Sequence, residues 1–208
     1  MHVSPMFPLG MVVFPNTKFQ LRIFEERYIK LVKYCTNTDS AFGVCLIAKG
    51  HEVGEGDERY QFGTLAKIDS VAKIGSEQLS IRCQGVGRIE VTKWLPEDSY
   101  PKASIEFCEA QDTESVTIDQ LAQLRLIAER TSKNVEKLTG IPQPPLPKLS
   151  EGPVEGIYEL AESSFLGAYD RYQVLAENTL RLRFHTLKEL MIGVDEIYVN
   201  ELKIRNQY

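Results

Sequence analysis

The chain has 208 residues, of which 43% are hydrophobic and 25% charged, and its formal net charge is −5. This composition is typical of a soluble globular protein with one large or two small domains, so the core needs no disulfide or metal to complete it. Residues 1–110 contain 13 basic and 14 acidic side chains and the remainder 11 and 15, giving net charges of −1 and −4. Neither half has the lysine and arginine excess that sequence-independent nucleic-acid binding requires.

The first half of the chain is predicted to consist of strands and one helix. Two apolar runs, MFPLGMVVFP and KFQLRIF, flank a turn at Pro15-Asn16, and an amphipathic helix follows from about Glu25. The run AFGVCLIA and the partly alternating segments YQFGTLAKI, QLSIRCQ, RIEVTKW and KASIEFC predict further strands, with a bulge or bend at Gly85 and Gly87. The segment HEVGEGDERY has no period and is predicted to be a solvated loop. About six short strands with one helix indicate a closed or nearly closed barrel.

The second half is predicted to be helical. Thr117 and Gln120 have the spacing of a capping box, and Gly140 followed by proline marks the end of that helix. Residues 141–153 form a stiff, proline-rich connector. A second helix is expected from about Pro153 and a long third one over 168–192, while VDEIYVNELKIR stays open between helix and strand. We therefore predict an α+β protein with a barrel at 1–112 and a helical bundle at 113–208.

The N-terminus and the cysteines bear on the cellular compartment. The opening residues, MHVSPMFPLG, lack the basic and then apolar regions of a signal peptide, and no run approaches 18 apolar residues. Cys35, Cys45, Cys83 and Cys108 never lie two residues apart, which argues against paired zinc ligands. We predict free thiols, no metal or other cofactor, no membrane association and a cytoplasmic location. The initial Met and the complete-looking last helix lead us to expect a whole protein.

Several blocks in order resemble the N-terminal, substrate-recognition domain of Lon protease. They are FPLGMVVFP, LRIFEERY, FGVCLIAKGHEVGEG, YQFGTLAKI, LSIRCQGVGRIEV and IYELAESSFLGAYDRYQVLAENTLRLR, and together they cover nearly the whole chain. The resemblance implies a PUA-like β-barrel followed by an α-helical bundle. Asn16 stands where that family usually has glycine, and because asparagine also adopts a positive φ, we expect the turn to be kept.

The resemblance also implies a function. The family domain captures and sorts substrate proteins, so we expect a non-catalytic module that binds proteins or unfolded polypeptide segments, with possible self-association. No G-x-x-x-x-G-K-[ST] loop is present in the sequence, and no serine–lysine pair stands out, so we predict no catalytic residue and no ATPase or peptidase activity. RNA binding, which other PUA-like proteins perform, is the alternative, although the net charge of the first half speaks against it. A small-molecule pocket in the barrel mouth is a third possibility.

Few residues are candidates for the binding surface. Met6, Phe7, Met11 and Phe14 could line an apolar groove for extended peptides, or they could belong to the barrel core. Trp94 could be a binding anchor or a residue at the core edge. Arg22, Glu25 and Arg27 could face a partner, or they could pair among themselves or cap the first helix.

Overall fold

The computed structural model describes residues 2–50, 56, 58–75, 78–108, 112, 116–205 and 207. The chain divides into two compact units, Met1–Glu109 and Ala110–Tyr208. The first unit contains every described strand and one helix, and the second unit contains four described helices. The fold is therefore α+β, with a six-stranded sheet and five helices among the described residues.

The first unit contains the strands β1 His2–Leu9, β2 Lys18–Ile23, β3 Ala41–Lys49, β4 Glu58–Lys73, β5 Leu79–Trp94 and β6 Lys102–Phe107. They form one sheet in the order β2-β5-β4-β3-β1-β6. Only the β1–β3 pair is parallel, and the other pairs are antiparallel. Because β5 also pairs with β6, the pairings run in a closed circuit from β5 through β4, β3, β1 and β6 back to β5.

Strand β5 runs without a break through the glycines at which the sequence predicted a bulge or a bend. Leu65 pairs with Gly87 and Ala66 with Gly85, so Val86 is an extra residue on β5 and forms a bulge. Gly85 also approaches the preceding loop closely, since its amide donates to the carbonyl of Thr17 at 2.9 Å. A Cβ at this position would lie 2.4 Å from the carbonyl oxygen of Phe14, so only glycine fits here.

The segment between β1 and β2 differs from the prediction. The run MFPLGMVVFP is a strand only as far as Leu9, and residues 10–17 form a loop. Val12, Val13 and Phe14 are nevertheless buried, and Thr64 donates a hydrogen bond to the carbonyl of Val13 at 2.6 Å. Burial without strand pairing explains why an apolar run was mistaken for a strand. The turn at Asn16 is as expected, with a φ of 68°.

Helix α1, Glu26–Thr36, covers one side of the core of the first unit. It buries Tyr28, Leu31, Val32 and Cys35. The ring of Tyr28 stacks on that of Phe7, with ring centroids 3.9 Å apart. The helix therefore packs on an apolar interior that also contains Val13 of the loop and residues of β1 to β5, among them Leu9, Ile23, Phe42, Val44, Ala66, Ile68, Ile81 and Cys83.

The helices of the second unit begin largely where the sequence predicted. They are α2 Ile118–Thr139, α3 Pro153–Ser163, α4 Ala168–Ala176 and α5 Leu180–Arg205, and α2 packs against α5 and α3. The capping box of Thr117 and Gln120 is formed, and Gly140 ends α2 with a φ of 72°. No described helix has the length and apolar character needed to cross a membrane.

The predicted long helix over 168–192 is wrong, because the chain breaks it into α4 and α5. Glu177 has an extended backbone, with a ψ of 137°, and ends α4. The hydroxyl of Thr179 then accepts a hydrogen bond from the amide of Leu182 at 3.2 Å, as an N-cap residue does. The Asp112 carboxylate accepts from the amide of Leu180 at 2.9 Å. The final stretch VDEIYVNELKIR, left open by the sequence, is helical to Arg205.

The connector between α2 and α3 is held against α2. Arg125 donates hydrogen bonds to the carbonyl oxygens of Leu146, at 3.1 Å, and Pro147. The same guanidinium pairs with Glu129 at 2.9 Å. Residues 141–150 contain no helix or strand, as the prolines predicted.

Candidate functional site

The four residues that the sequence suggested for a peptide groove do not form one surface. Met6, Phe7 and Phe14 are buried, and only Met11, at 37% exposure, presents its side chain to solvent. Met6 lies so close to Gly43 that a Cβ there would meet its sulfur at 2.4 Å. These contacts are those of core residues, the alternative that the sequence left open. Binding at these four residues stays a prediction, and in this arrangement only Met11 could contribute to it directly.

An open groove lies elsewhere in the first unit, between helix α1 and the ends of β4 and β5. Its volume is about 520 Å³, within the range of pockets that bind small ligands or side chains. Phe24, Ile29 and Leu79 supply apolar surface, and the remaining lining residues are Glu26, Lys33, Lys73 and Gln78. It combines an apolar wall with a polar rim, the composition that marks protein-binding surfaces.

The helix side of the groove follows from the spacing of residues along the chain. Ile23, the last residue of β2, is buried, and the next residue, Phe24, points away from the core and is 53% exposed. Glu26, Ile29 and Lys33 then share one face of α1, since residues three and four apart are neighbours on a helix. This face borders the one that α1 packs into the core, and Ile29, partly buried, contacts the core cluster as well.

The strand side of the groove is set by the register of β2, β4 and β5. Leu79 pairs with Lys73 on one side and with Ile23 on the other. The amide of Ile74 donates to the carbonyl of Gln78 at 2.8 Å, which draws the ends of β4 and β5 together. The groove therefore rests largely on paired strands and a helix, with Phe24 and Gln78 directly beside their ends.

The charges around the groove are unevenly neutralised. Lys30 donates to Glu26 at 2.8 Å, and this hydrogen bond, together with the lysine charge, lowers the pKa of the Glu26 carboxyl below its ordinary value. Lys33 and Lys73 are exposed, and neither forms an ion pair with another described residue. The described residues of the rim consequently carry a net positive charge.

The other residues that the sequence singled out have local partners. Arg59 lies over the ring of Trp94, 4.5 Å from its centroid. Arg27 pairs with Glu25 at 3.1 Å, one of the pairings that the sequence predicted. Trp94 thus has a cation against one face of its ring, and the Glu25–Arg27 pair is engaged within the chain.

Little among the described residues points to a cofactor or a catalytic centre. No group of three or more described His, Cys, Asp or Glu side chains could hold a metal ion. Cys35, Cys45 and Cys83 are buried free thiols, and burial is the main cause that raises the pKa of Cys35 and of Cys83 to about 12. In the second unit, the cavity beside Thr131 has a volume of about 10 Å³, roughly one water molecule. The predicted solvated loop lies mostly outside the described residues, and its last three residues, 58–60, belong to β4 and not to a loop.

Sequence reasoning missed the residues of the groove. Ile29 is partly buried and packs against the core while it also lines the groove. Phe24 read as the end of a strand, and Leu79 as one of several alternating strand residues. One feature of the sequence could have indicated the groove. Phe24 is apolar and directly follows the buried last residue of a strand, and because strand side chains alternate between faces, Phe24 must point away from the core.

A family model matches most of the chain. It is described as the ATP-dependent protease La (LON) substrate-binding domain, and it covers residues 3–192. Among curated relatives, the Lon protease of Anaeromyxobacter dehalogenans is 27% identical over 215 residues, which span 99% of this chain and 24% of that protein. Lon protease 2 of Myxococcus xanthus is 26% identical over 99% of this chain and 25% of its own length. The chain thus spans about a quarter of the length of these relatives.

Solved structures have the same fold. A Lon N-terminal domain protein from Xanthomonas campestris superposes with a TM-score of 0.68 at 26% identity, covering 90% of this chain and 97% of that one. The N-terminal domain of the Mycobacterium avium complex Lon protease gives a TM-score of 0.60 at 12% identity, covering 91% and 98%, a likeness of fold alone.

Proposed function

The chain belongs to the family of ATP-dependent protease La (LON) substrate-binding domains, and from this we propose that it binds extended or unfolded segments of client proteins in the groove between α1 and the ends of β4 and β5. The observation that carries the proposal is the exposed Phe24 side chain, which lies with Ile29 and Leu79 along one apolar wall. Apolar residues of an unfolded segment would gain by burying surface against that wall. A folded client buries such residues in its own core, so the groove would bind unfolded clients in preference to folded ones.

We also propose that the chain binds client proteins without catalysing a reaction on them. The chain would hold a client and neither cut it nor hydrolyse ATP, because the groove contains no nucleophile paired with a base among its described lining residues. Delivery of clients to the ATPase and protease parts of a Lon enzyme is the role that the family suggests. When the chain is incubated with ATP and an unfolded protein, mass spectrometry should show that both the ATP and the protein stay intact. If either is cleaved, and a point substitution in this chain abolishes the cleavage, the proposed lack of catalysis is refuted.

We further propose that the first unit is a PUA-like barrel over 1–112 and that the helices over 113–208 form a bundle, with the connector at 141–153. The closed circuit of strand pairings and the packing of α2 on α3 and α5 support this. Met11, the exposed member of the four predicted residues, could extend the contact with a client. Self-association and a cytoplasmic location also remain proposals, the latter supported by three buried free thiols. No relative named above is described as an RNA-binding protein.

The direct test is binding of an unfolded polypeptide. Fluorescence anisotropy of a labelled protein that cannot fold, titrated with the 208-residue chain, should show saturable binding, and the same protein in its folded form should bind weakly or not at all. Equal binding of the two forms would contradict recognition of unfolded segments. Absence of binding to either would refute the proposed function.

A further inference from the structure

Among its described lining residues, the groove has an apolar wall beside two lysines and one glutamate. Its one acidic residue among the described lining residues, Glu26, is already engaged by Lys30 at 2.8 Å. Lys33 and Lys73 line the same groove with exposed ammonium groups that pair with no carboxylate the structure describes. In a chain with a net charge of −5, this is a local reversal of sign.

The two lysines approach the groove from different elements. Lys33 is on the last turns of α1, and Lys73 is the last residue of β4, next to its strand partner Leu79. Phe24, Ile29 and Leu79 supply the apolar surface between them. A bound segment would therefore place an apolar side chain on that surface and its neighbouring side chains near the ammonium groups.

Resting on the proposed function, we propose that the groove selects extended segments in which an apolar residue is flanked by aspartate or glutamate. The charge pattern decides between client classes, because like charges placed together disfavour a partner and opposite charges favour it. Segments flanked by lysine or arginine would meet Lys33 and Lys73 with the same sign. Exposed ion pairs are individually weak, so acidic flanks add selectivity and the apolar contact supplies most of the affinity.

The test compares three short labelled peptides that share one apolar core and differ only in their flanks. One has glutamate, one glutamine and one lysine at the flanking positions, and each is titrated with the 208-residue chain by fluorescence anisotropy. Two exposed ion pairs should make the glutamate peptide bind roughly two- to ten-fold more tightly than the glutamine peptide. The lysine peptide should bind most weakly. At about 1 M salt, where the screening length falls to about 3 Å, the three affinities should converge.

The matched variants separate a local effect from the overall charge. The double variant Lys33→Gln/Lys73→Gln should lose the preference for the glutamate peptide and keep its affinity for the glutamine peptide. The control Lys67→Gln/Lys93→Gln removes the same total charge from exposed lysines of the first unit outside the groove, and should keep the preference.

Each outcome bears on the proposal in a different way. Equal binding of all three peptides by the unmodified chain would overturn the charge selection and leave the proposed function standing. Loss of the preference in both double variants would overturn the assignment to the groove. If none of the peptides and no unfolded protein bound, the proposed function would fail with it.

Discussion

Substitution of Phe24 by alanine should weaken client binding and leave the chain folded. Phe24 is 53% exposed, and a phenylalanine side chain buries about 150–250 Å² when fully covered, so about 80–130 Å² is available to a client. At about 25 cal/mol per Å², this area corresponds to at most about 2–3 kcal/mol. Since a client also loses freedom on binding, we expect about 1–2 kcal/mol, or a five- to thirty-fold higher Kd.

Phe107 provides the matched control for this substitution. It is 58% exposed and lies on β6, outside the groove, so Phe107→Ala removes a similar aromatic side chain of the same unit. Each substitution should cost about 1–2 kcal/mol of unfolding free energy, which a typical domain tolerates. The assay is anisotropy with an unfolded labelled protein, alongside urea unfolding of each variant. A Phe24→Ala variant that binds within two-fold of the unmodified chain, or no more weakly than Phe107→Ala, would refute the reasoning.

Three further predictions concern stability and reactivity. Gly85→Ala should lower the urea-unfolding free energy by about 1–3 kcal/mol or more, because the new Cβ would lie 2.4 Å from the carbonyl oxygen of Phe14. Cys35 and Cys83, with pKa values raised to about 12, should resist alkylation until the chain unfolds. Above pH 9 the unfolded thiols ionise while the folded ones stay protonated, so the free energy of unfolding should fall as pH rises. Burial raises the pKa of the Glu162 carboxyl above 4.5, so the folded state holds that proton more tightly than the unfolded state does. The free energy of unfolding should therefore fall as pH rises from 4.5 through the raised pKa. Glu162→Gln should remove this fall.

Each of these predictions has a control and a result that would contradict it. Gly87→Ala should be tolerated better, since its Cβ would meet only the ring of Phe107 at 3.5 Å, and equal losses would contradict the close-approach argument. Half-exposed Cys108 should be alkylated first in the folded chain, and equal rates for all four thiols would count against burial as the cause. Glu189→Gln, at an exposed position of α5, should keep the pH slope that Glu162→Gln removes. An unchanged slope in Glu162→Gln would show that another group titrates.

The sequence predicted most elements where one local signal decided the outcome. The capping box at Thr117, the helix end at Gly140 and the positive φ of Asn16 were all predicted from residue chemistry and are all present. Each depends on a side chain that bonds its own backbone, or on a residue that tolerates a left-handed conformation, and neither requires knowledge of the rest of the fold. The bulge at Val86 was likewise indicated by the flanking glycines.

The failures occurred where tertiary contacts overrode the local pattern. Val12 and Val13 are buried in a loop, and no periodicity distinguishes such a segment from a buried strand. The break before Leu180 depends on Asp112, a residue far away in sequence whose carboxylate accepts the helix amide at 2.9 Å. A continuous apolar stripe therefore predicted one helix where the chain forms two.

The candidate groove could not be predicted for a related reason. It exists because the register of β5 places Leu79 beside Ile23 and Lys73, and because α1 leaves Ile29 only partly buried where it packs against the core. Strand register between distant segments is set by the whole sheet, so an alternating pattern alone does not specify it. The sequence instead pointed to Met6, Phe7 and Phe14, whose apolar character is used for the core.

The central claim is that clients bind in the groove of the first unit, and methyl NMR of the 208-residue chain tests it most directly. On addition of an unfolded polypeptide, the methyl resonances of Ile29 and Leu79 should shift together along one saturable curve, since both side chains line the groove. Ile197, 57% exposed on α5 in the second unit, should stay unchanged. Saturable shifts at Ile197 with none at Ile29 or Leu79 would contradict the account.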